Sequence, residues 1–105
     1  MSKLIFVTGA SSGIGQALAW RYYQDGYDLA LVARRTQDMQ AWATKQGLAE
    51  SRYQIYGADV AVIDSIVAAA RLCLERQGLP DVVIANAGVS IGVDTAVRDD
   101  LDVLV

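Results

Sequence analysis

The chain has 105 residues, of which 53% are hydrophobic and 20% charged, with nine glycines, one proline and a net charge of −3. That length allows one small domain, and the composition excludes a disordered tail, a collagen-like repeat and a basic nucleic-acid arm. An acidic chain has no global positive field, so nucleic acid is not an expected partner and any bound anion must be held locally by backbone amides or a few arginines.

The only cysteine, Cys73, has no internal disulfide partner, and there is no histidine. Zinc sites and Ser-His or Cys-His triads are therefore excluded within these residues. No apolar run approaches the ~18 residues of a membrane span. The reading is a cytosolic chain with no membrane partner.

Met1 leads into the first apolar run, Leu4-Ile5-Phe6-Val7, followed by Leu29-Ala30-Leu31-Val32, Tyr53-Gln54-Ile55-Tyr56 and Val82-Val83-Ile84-Ala85. The first, second and fourth are apolar at every position, the pattern of parallel strands covered on both faces. Gln54 interrupts the third, as suits a sheet edge. Between the strands lie three helical segments. Residues 13–25 carry Ile14, Ala17, Leu18 and Tyr22 on one predicted stripe and stop at Gly26. Residues 37–48 follow Thr36 as predicted N-cap, with Met39, Trp42 and Ala43 inward. Residues 62–77 place Ile63, Ile66, Val67, Ala70 and Cys73 or Leu74 on one stripe, closed by Gly78 and Pro80. Residues 93–105 suggest one more amphipathic helix, from Val97, Leu101, Leu104 and Val105, with no capping signal at its end. The order βαβαβαβ with right-handed crossovers predicts an α/β, doubly wound parallel sheet.

Directly after the first strand and before the first helix stands Thr8-Gly9-Ala10-Ser11-Ser12-Gly13-Ile14-Gly15. Gly9 lets the chain leave the strand sharply, Gly13 removes a side chain where a pyrophosphate would approach, and Gly15 permits close helix–sheet packing. The N-terminal N–H groups of the helix, beginning near Ile14, point at the phosphates, and the hydroxyls of Ser11 and Ser12 are candidate added donors. The alternative is a glycine-rich turn that binds nothing, which the strand–turn–helix context disfavours. No lysine follows the glycines, so the lysine–hydroxyl pair of a P-loop nucleotidase is missing.

Thr8-Gly-x-x-x-Gly-x-Gly15, with Asn86-Ala87-Gly88 at the end of the fourth strand, resembles the short-chain dehydrogenase/reductase family, single-domain branch. The resemblance covers essentially the whole chain. It implies a Rossmann-type sheet, of which strands in order 3-2-1-4 are present, and a nicotinamide-dependent oxidoreductase acting on a small carbonyl or alcohol through a serine and a Tyr-x-x-x-Lys pair, with homo-oligomeric assembly when full length.

The second strand ends Leu31-Val32-Ala33-Arg34-Arg35, with no carboxylate for a ribose diol. By the resemblance, Ala33 stands where an NAD-selecting Asp would sit. Arg34 matches a position that grips the 2′-phosphate of NADP(H), with Arg35 beside it; some relatives add a basic residue where this chain has Ser12. Exposed arginines in a solvated turn are the alternative. Asp59 and Val60 resemble the adenine contact, although Asp59 could equally cap the following helix. Asn86 resembles the residue that braces the central sheet, and Ala87 and Gly88 would let the cofactor ribose lie against the backbone. Val89 and Ser90 follow nearest the nicotinamide by position.

Four residues after Tyr22, Tyr23, Tyr27, Tyr53 and Tyr56 stand Gly26, Tyr27, Leu31, Gly57 and Val60, none of them lysine. The expectation is therefore the cofactor half of an enzyme over residues 1–105, cut within the helix after the fourth strand, with no catalytic residue of its own. A non-catalytic NADP-binding module or redox sensor is the alternative. A methyltransferase would want an acid where Ala33 stands.

Overall fold

The computed structural model describes residues 3–59 and 61–86. Its elements are β1 (Lys3–Thr8), α1 (Gly13–Gln24), β2 (Tyr27–Ala33), α2 (Thr36–Gln46), a 3-10 turn (Glu50–Arg52), β3 (Tyr53–Gly57), α3 (Ile63–Arg76) and β4 (Val82–Ala85). All strand pairs are parallel and the order is β3-β2-β1-β4. The four predicted runs are the four strands, and β3, the one carrying Gln54, lies at an edge.

The continuous apolar character of β1 and β2 follows from two cores. Ile5, Val7, Leu29 and Leu31 face α1 and α2, packing with Ala19, Met39 and Ala43. Leu4, Phe6, Ala30 and Val32 face α3, packing with Tyr56, Ala69 and Cys73. Alternate residues of each strand thus enter opposite layers. A fully buried Leu or Ile contributes about 1.5–3 kcal/mol, so a polar residue at either parity would be costly.

The helices correct three expectations. On α1 the buried residues are Gly15 and Ala19, whereas Ile14 and Ala17 are exposed and Leu18 is half-buried. The helix sits so close to the sheet that only the smallest residues fit beneath it. On α3 the buried residues are Ala69 and Cys73, with Ile66 and Ala70 packed beside them, while Ile63, Val67 and Leu74 are exposed. Thr36 is the first residue of α2 and not its cap; Arg35 holds the cap position without a side-chain bond. Met39, Ala43 and Trp42 do face inward, and α2 ends at Gly47 in the left-handed region, φ 76°. The predicted helix over 93–105 lies outside the described residues.

At the N-terminal edge of the sheet, Arg52 closes the structure. Its guanidinium lies 3.9 Å from the centroid of the Tyr23 ring and donates to the carbonyls of Tyr23 (3.0 Å) and Tyr27 (2.7 Å) and to Asp28 (3.3 Å). No helix among the described residues is long and apolar enough to cross a membrane.

Candidate cofactor site

Because the strands are parallel, Thr8, Ala33, Gly57 and Ala85 end on one edge. Crossovers leave β1 and arrive at β4 on opposite faces, so the crevice between these two strands is the switch point where open α/β sheets take ligands. The glycine loop stands there. Thr8, the one buried polar residue among those described, donates from Oγ1 to the carbonyl of Ile84 at 3.4 Å, tying β1 to β4.

The three loop glycines are required for different reasons. Gly9 has φ +65°, and a Cβ there would lie 1.7 Å from the carbonyl oxygen of Asn86. A Cβ on Gly15 would lie 2.4 Å from the carbonyl oxygen of Gly9. Gly13, also helical, has nothing within 4 Å of its Cβ position. The fold therefore needs the first and last, while the space over Gly13 is open to a ligand.

Ser12 is the N-cap of α1, with extended backbone, and its Oγ accepts from Gly15 N–H at 3.0 Å. The same hydroxyl donates to the Gly9 carbonyl at 3.0 Å and accepts from Asn86 Nδ2 at 2.7 Å. A hydroxyl has one proton and two lone pairs, so Ser12 is saturated inside the loop. Its hydroxyl therefore has partners inside the loop, where the sequence suggests an added phosphate donor. Ser11 is exposed, with no side-chain hydrogen bond among the described residues. The amides of Gly13 and Ile14, in the first turn of α1, have no intrahelical partner and none among the described residues. Two N–H groups at a positive helix end, with no side chain over Gly13, form a cradle of the kind a pyrophosphate fills.

The end of β2 supplies the second feature. Ala33 is buried, and Arg34, Arg35, Thr36, Gln37 and Asp38 line a pocket of 320 Å³. Neither guanidinium is ion-paired among the described residues. Asp38 lies in the first turn of α2, where the helix end favours a carboxylate. Asp38 carries no signal of its own in the sequence; its place in the first turn follows from α2 starting at Thr36, one residue before the expected start at residue 37.

Asp59, at the end of β3, accepts Ala61 N–H on Oδ1 at 2.9 Å, and its own N–H donates to Ser65 Oγ at 2.9 Å. It caps the turn ahead of α3, one carboxylate oxygen remaining for other donors. Asn86, at the end of β4, donates from Nδ2 to the Gly9 carbonyl at 3.3 Å as well as to Ser12. Val60, Ala87, Gly88, Val89 and Ser90 lie outside the described residues. The structure thus brings Gly9, Ser12, Gly15 and Asn86 into direct contact and places Arg34 and Arg35 together on the same edge of the sheet. The residues present fit a nicotinamide dinucleotide.

Comparison with known proteins gives the family of the chain. The family model described as short chain dehydrogenase matches residues 3–103. The chain is 36% identical over 111 residues to the dehydrogenase/reductase SDR family protein 7-like of Drosophila melanogaster, covering 98% of this chain and 34% of that protein. Among solved structures it is similar to an alcohol dehydrogenase from Thermococcus sibiricus complexed with 5-hydroxy-NADP, with 34% identity, TM-score 0.72, 80% of this chain and 36% of that one. It is also similar to the 3-ketoacyl-(acyl-carrier-protein) reductase from Brucella melitensis complexed with NADH, with 26% identity, TM-score 0.68, 78% of this chain and 32% of that one. The chain spans about a third of the length of these relatives.

Proposed function

Because the chain belongs to the short-chain dehydrogenase family, we propose that it is the dinucleotide-binding part of an NADP(H)-dependent oxidoreductase that interconverts a small carbonyl compound and its alcohol. In this reading the pyrophosphate rests on the amides of Gly13 and Ile14, with the Ser11 hydroxyl beside them. The adenine lies toward Asp59 and Val60, and the nicotinamide ribose passes Asn86, Ala87 and Gly88. The bound cofactor supplies the hydride; residues 1–105 bind and orient it. A proton donor for the substrate oxygen must come from residues other than these, since no Tyr-x-x-x-Lys occurs among them.

Preference for the phosphorylated cofactor is carried by one observation, the pair Arg34 and Arg35 following a buried Ala33 with no acid at the strand end. A guanidinium takes a phosphate bidentately, and an unphosphorylated ribose offers no equivalent. Solved neighbours include complexes with an NADP derivative and with NADH, so the decision rests on these side chains.

Titrating NADPH and NADH into the full-length protein tests the reading. A charge-assisted contact is worth about 1.5–3 kcal/mol, or roughly ten- to a hundredfold in affinity. NADPH should bind more tightly by that factor, and Arg34→Ala should remove most of the difference. Equal affinities would refute it. The competing reading is a non-catalytic NADP-binding module or redox sensor. Dinucleotide binding by the full-length protein without turnover of any ketone or alcohol would select it.

A further inference from the structure

The Gly9 carbonyl is a hub that the cofactor reading does not use. It accepts from Ser12 N–H (3.2 Å), from Ser12 Oγ (3.0 Å) and from Asn86 Nδ2 (3.3 Å). The second Nδ2 proton of Asn86 goes to Ser12 Oγ at 2.7 Å, the shortest bond of the set. Reversing the amide would set its oxygen against the Gly9 carbonyl, so the donor orientation is fixed by the loop. Ser12 and Asn86 are 74 residues apart in sequence. A helix cap needs only the Ser12–Gly15 bond, which is local. The bond to Asn86 joins the start of α1 to the end of β4 across the crevice.

We propose that the Ser12–Asn86 hydrogen bond latches the glycine loop to the end of β4 and holds the amides of Gly13 and Ile14 in place for phosphate. Ser12 is then a positioning residue and not a phosphate ligand. Its single proton is directed at Gly9 and both lone pairs are occupied, so a phosphate oxygen finds no hydrogen to accept there. Selectivity between the two cofactors is consequently set at the end of β2 alone. The inference rests on the cofactor reading above.

A double-mutant cycle of four full-length proteins, the parent, Ser12→Ala, Asn86→Ala and the double variant, tests it together with a fifth, rescue variant. Asn86→Ala leaves the Ser12–Gly15 cap in place, so it removes the latch without the cap. Each single variant should bind NADPH and NADH about 5- to 30-fold more weakly, by the same factor for both, and the double variant should be no more than about twofold worse than the weaker single one. Ser12→Thr, which keeps a hydroxyl and is accepted as a cap, should restore binding. Parental affinity in Asn86→Ala, multiplicative losses in the double variant, or a Ser12→Ala loss confined to NADPH would overturn the latch. If the parent binds neither dinucleotide, the cofactor reading fails. Urea unfolding of the same four proteins then judges the latch alone: non-additive stability losses keep it, and additive losses remove it.

Discussion

Alanine at the three loop glycines should separate what the fold demands from what a ligand demands. At Gly9 the φ of +65° and the 1.7 Å approach to the Asn86 carbonyl oxygen combine a left-handed penalty of about 1–2 kcal/mol with overpacking of about 1–3 kcal/mol. A net stability of ~5–15 kcal/mol is typical of a domain, so Gly9→Ala removes a large part of it. At Gly15 the methyl meets the Gly9 carbonyl at 2.4 Å; the better helix propensity of Ala, up to about 1 kcal/mol, offsets only part of the overpacking, leaving a loss of about 1–2 kcal/mol. At Gly13 nothing opposes the methyl in the protein, so the change ranges from neutral to a gain of about 1 kcal/mol. Yet that methyl stands where the phosphate would approach, and dinucleotide affinity should fall about tenfold or more. Urea midpoints and NADPH titrations of the full-length variants give both quantities. Gly13→Ala with parental affinity, or Gly9→Ala as stable as Gly13→Ala, would refute the reasoning.

The opposite edge of the sheet should behave in the reverse way. Arg52→Ala strips two carbonyls, Asp28 and the Tyr23 ring of their cation; equilibrium unfolding should show a loss of about 2–3 kcal/mol with NADPH affinity unchanged. Tyr56, whose hydroxyl donates to Gln77 Oε1 at 2.8 Å, has its pKa pushed up to about 12, first by burial and then by the Cys73 thiol, with Arg76 pulling the other way. The folded state therefore holds this proton more tightly than the unfolded chain, for which ~10 is usual. The stabilisation is complete below pH ~10 and lost as pH rises toward about 12, a slope that urea unfolding should detect and Tyr56→Phe should flatten. Residues 1–105 alone should show no ketone-dependent oxidation of NADPH, because no tyrosine among them has a lysine four residues on; steady-state absorbance with a panel of ketones checks this, and turnover at ordinary enzyme rates would contradict it.

The strands were legible because a doubly covered strand leaves a strong trace: Leu4 to Val7 and Leu29 to Val32 must be apolar at both parities to serve two layers. The helices were legible in existence and extent but not in orientation. Ile14 and Leu18, or Ile63 and Val67, are the greasiest residues on their helices, and a hydrophobic stripe is naturally drawn through them. The sheet instead took Gly15 with Ala19 and Ala69 with Cys73. Hydrophobicity marks which residues tolerate burial, while closeness of approach decides which are buried, and closeness depends on partners that periodicity does not contain.

The same distinction runs through the site. Gly9 and Gly15, and in the proposed reading the Arg34–Arg35 pair, depend on properties each carries alone, namely a missing Cβ or a fixed charge, and a local spacing reveals them. Ser12 is different, since a serine after a strand is equally a phosphate donor, a helix cap or a latch. Its role is set by where one proton and two lone pairs go, and the partner that decides it, Asn86, is 74 residues distant. Even so, the pairing leaves a trace that could be sought elsewhere: where the loop carries no hydroxyl at this position, the asparagine at the end of β4 loses its strongest acceptor, and the loop must be held by other means, such as a side chain contributed by the phosphate site itself.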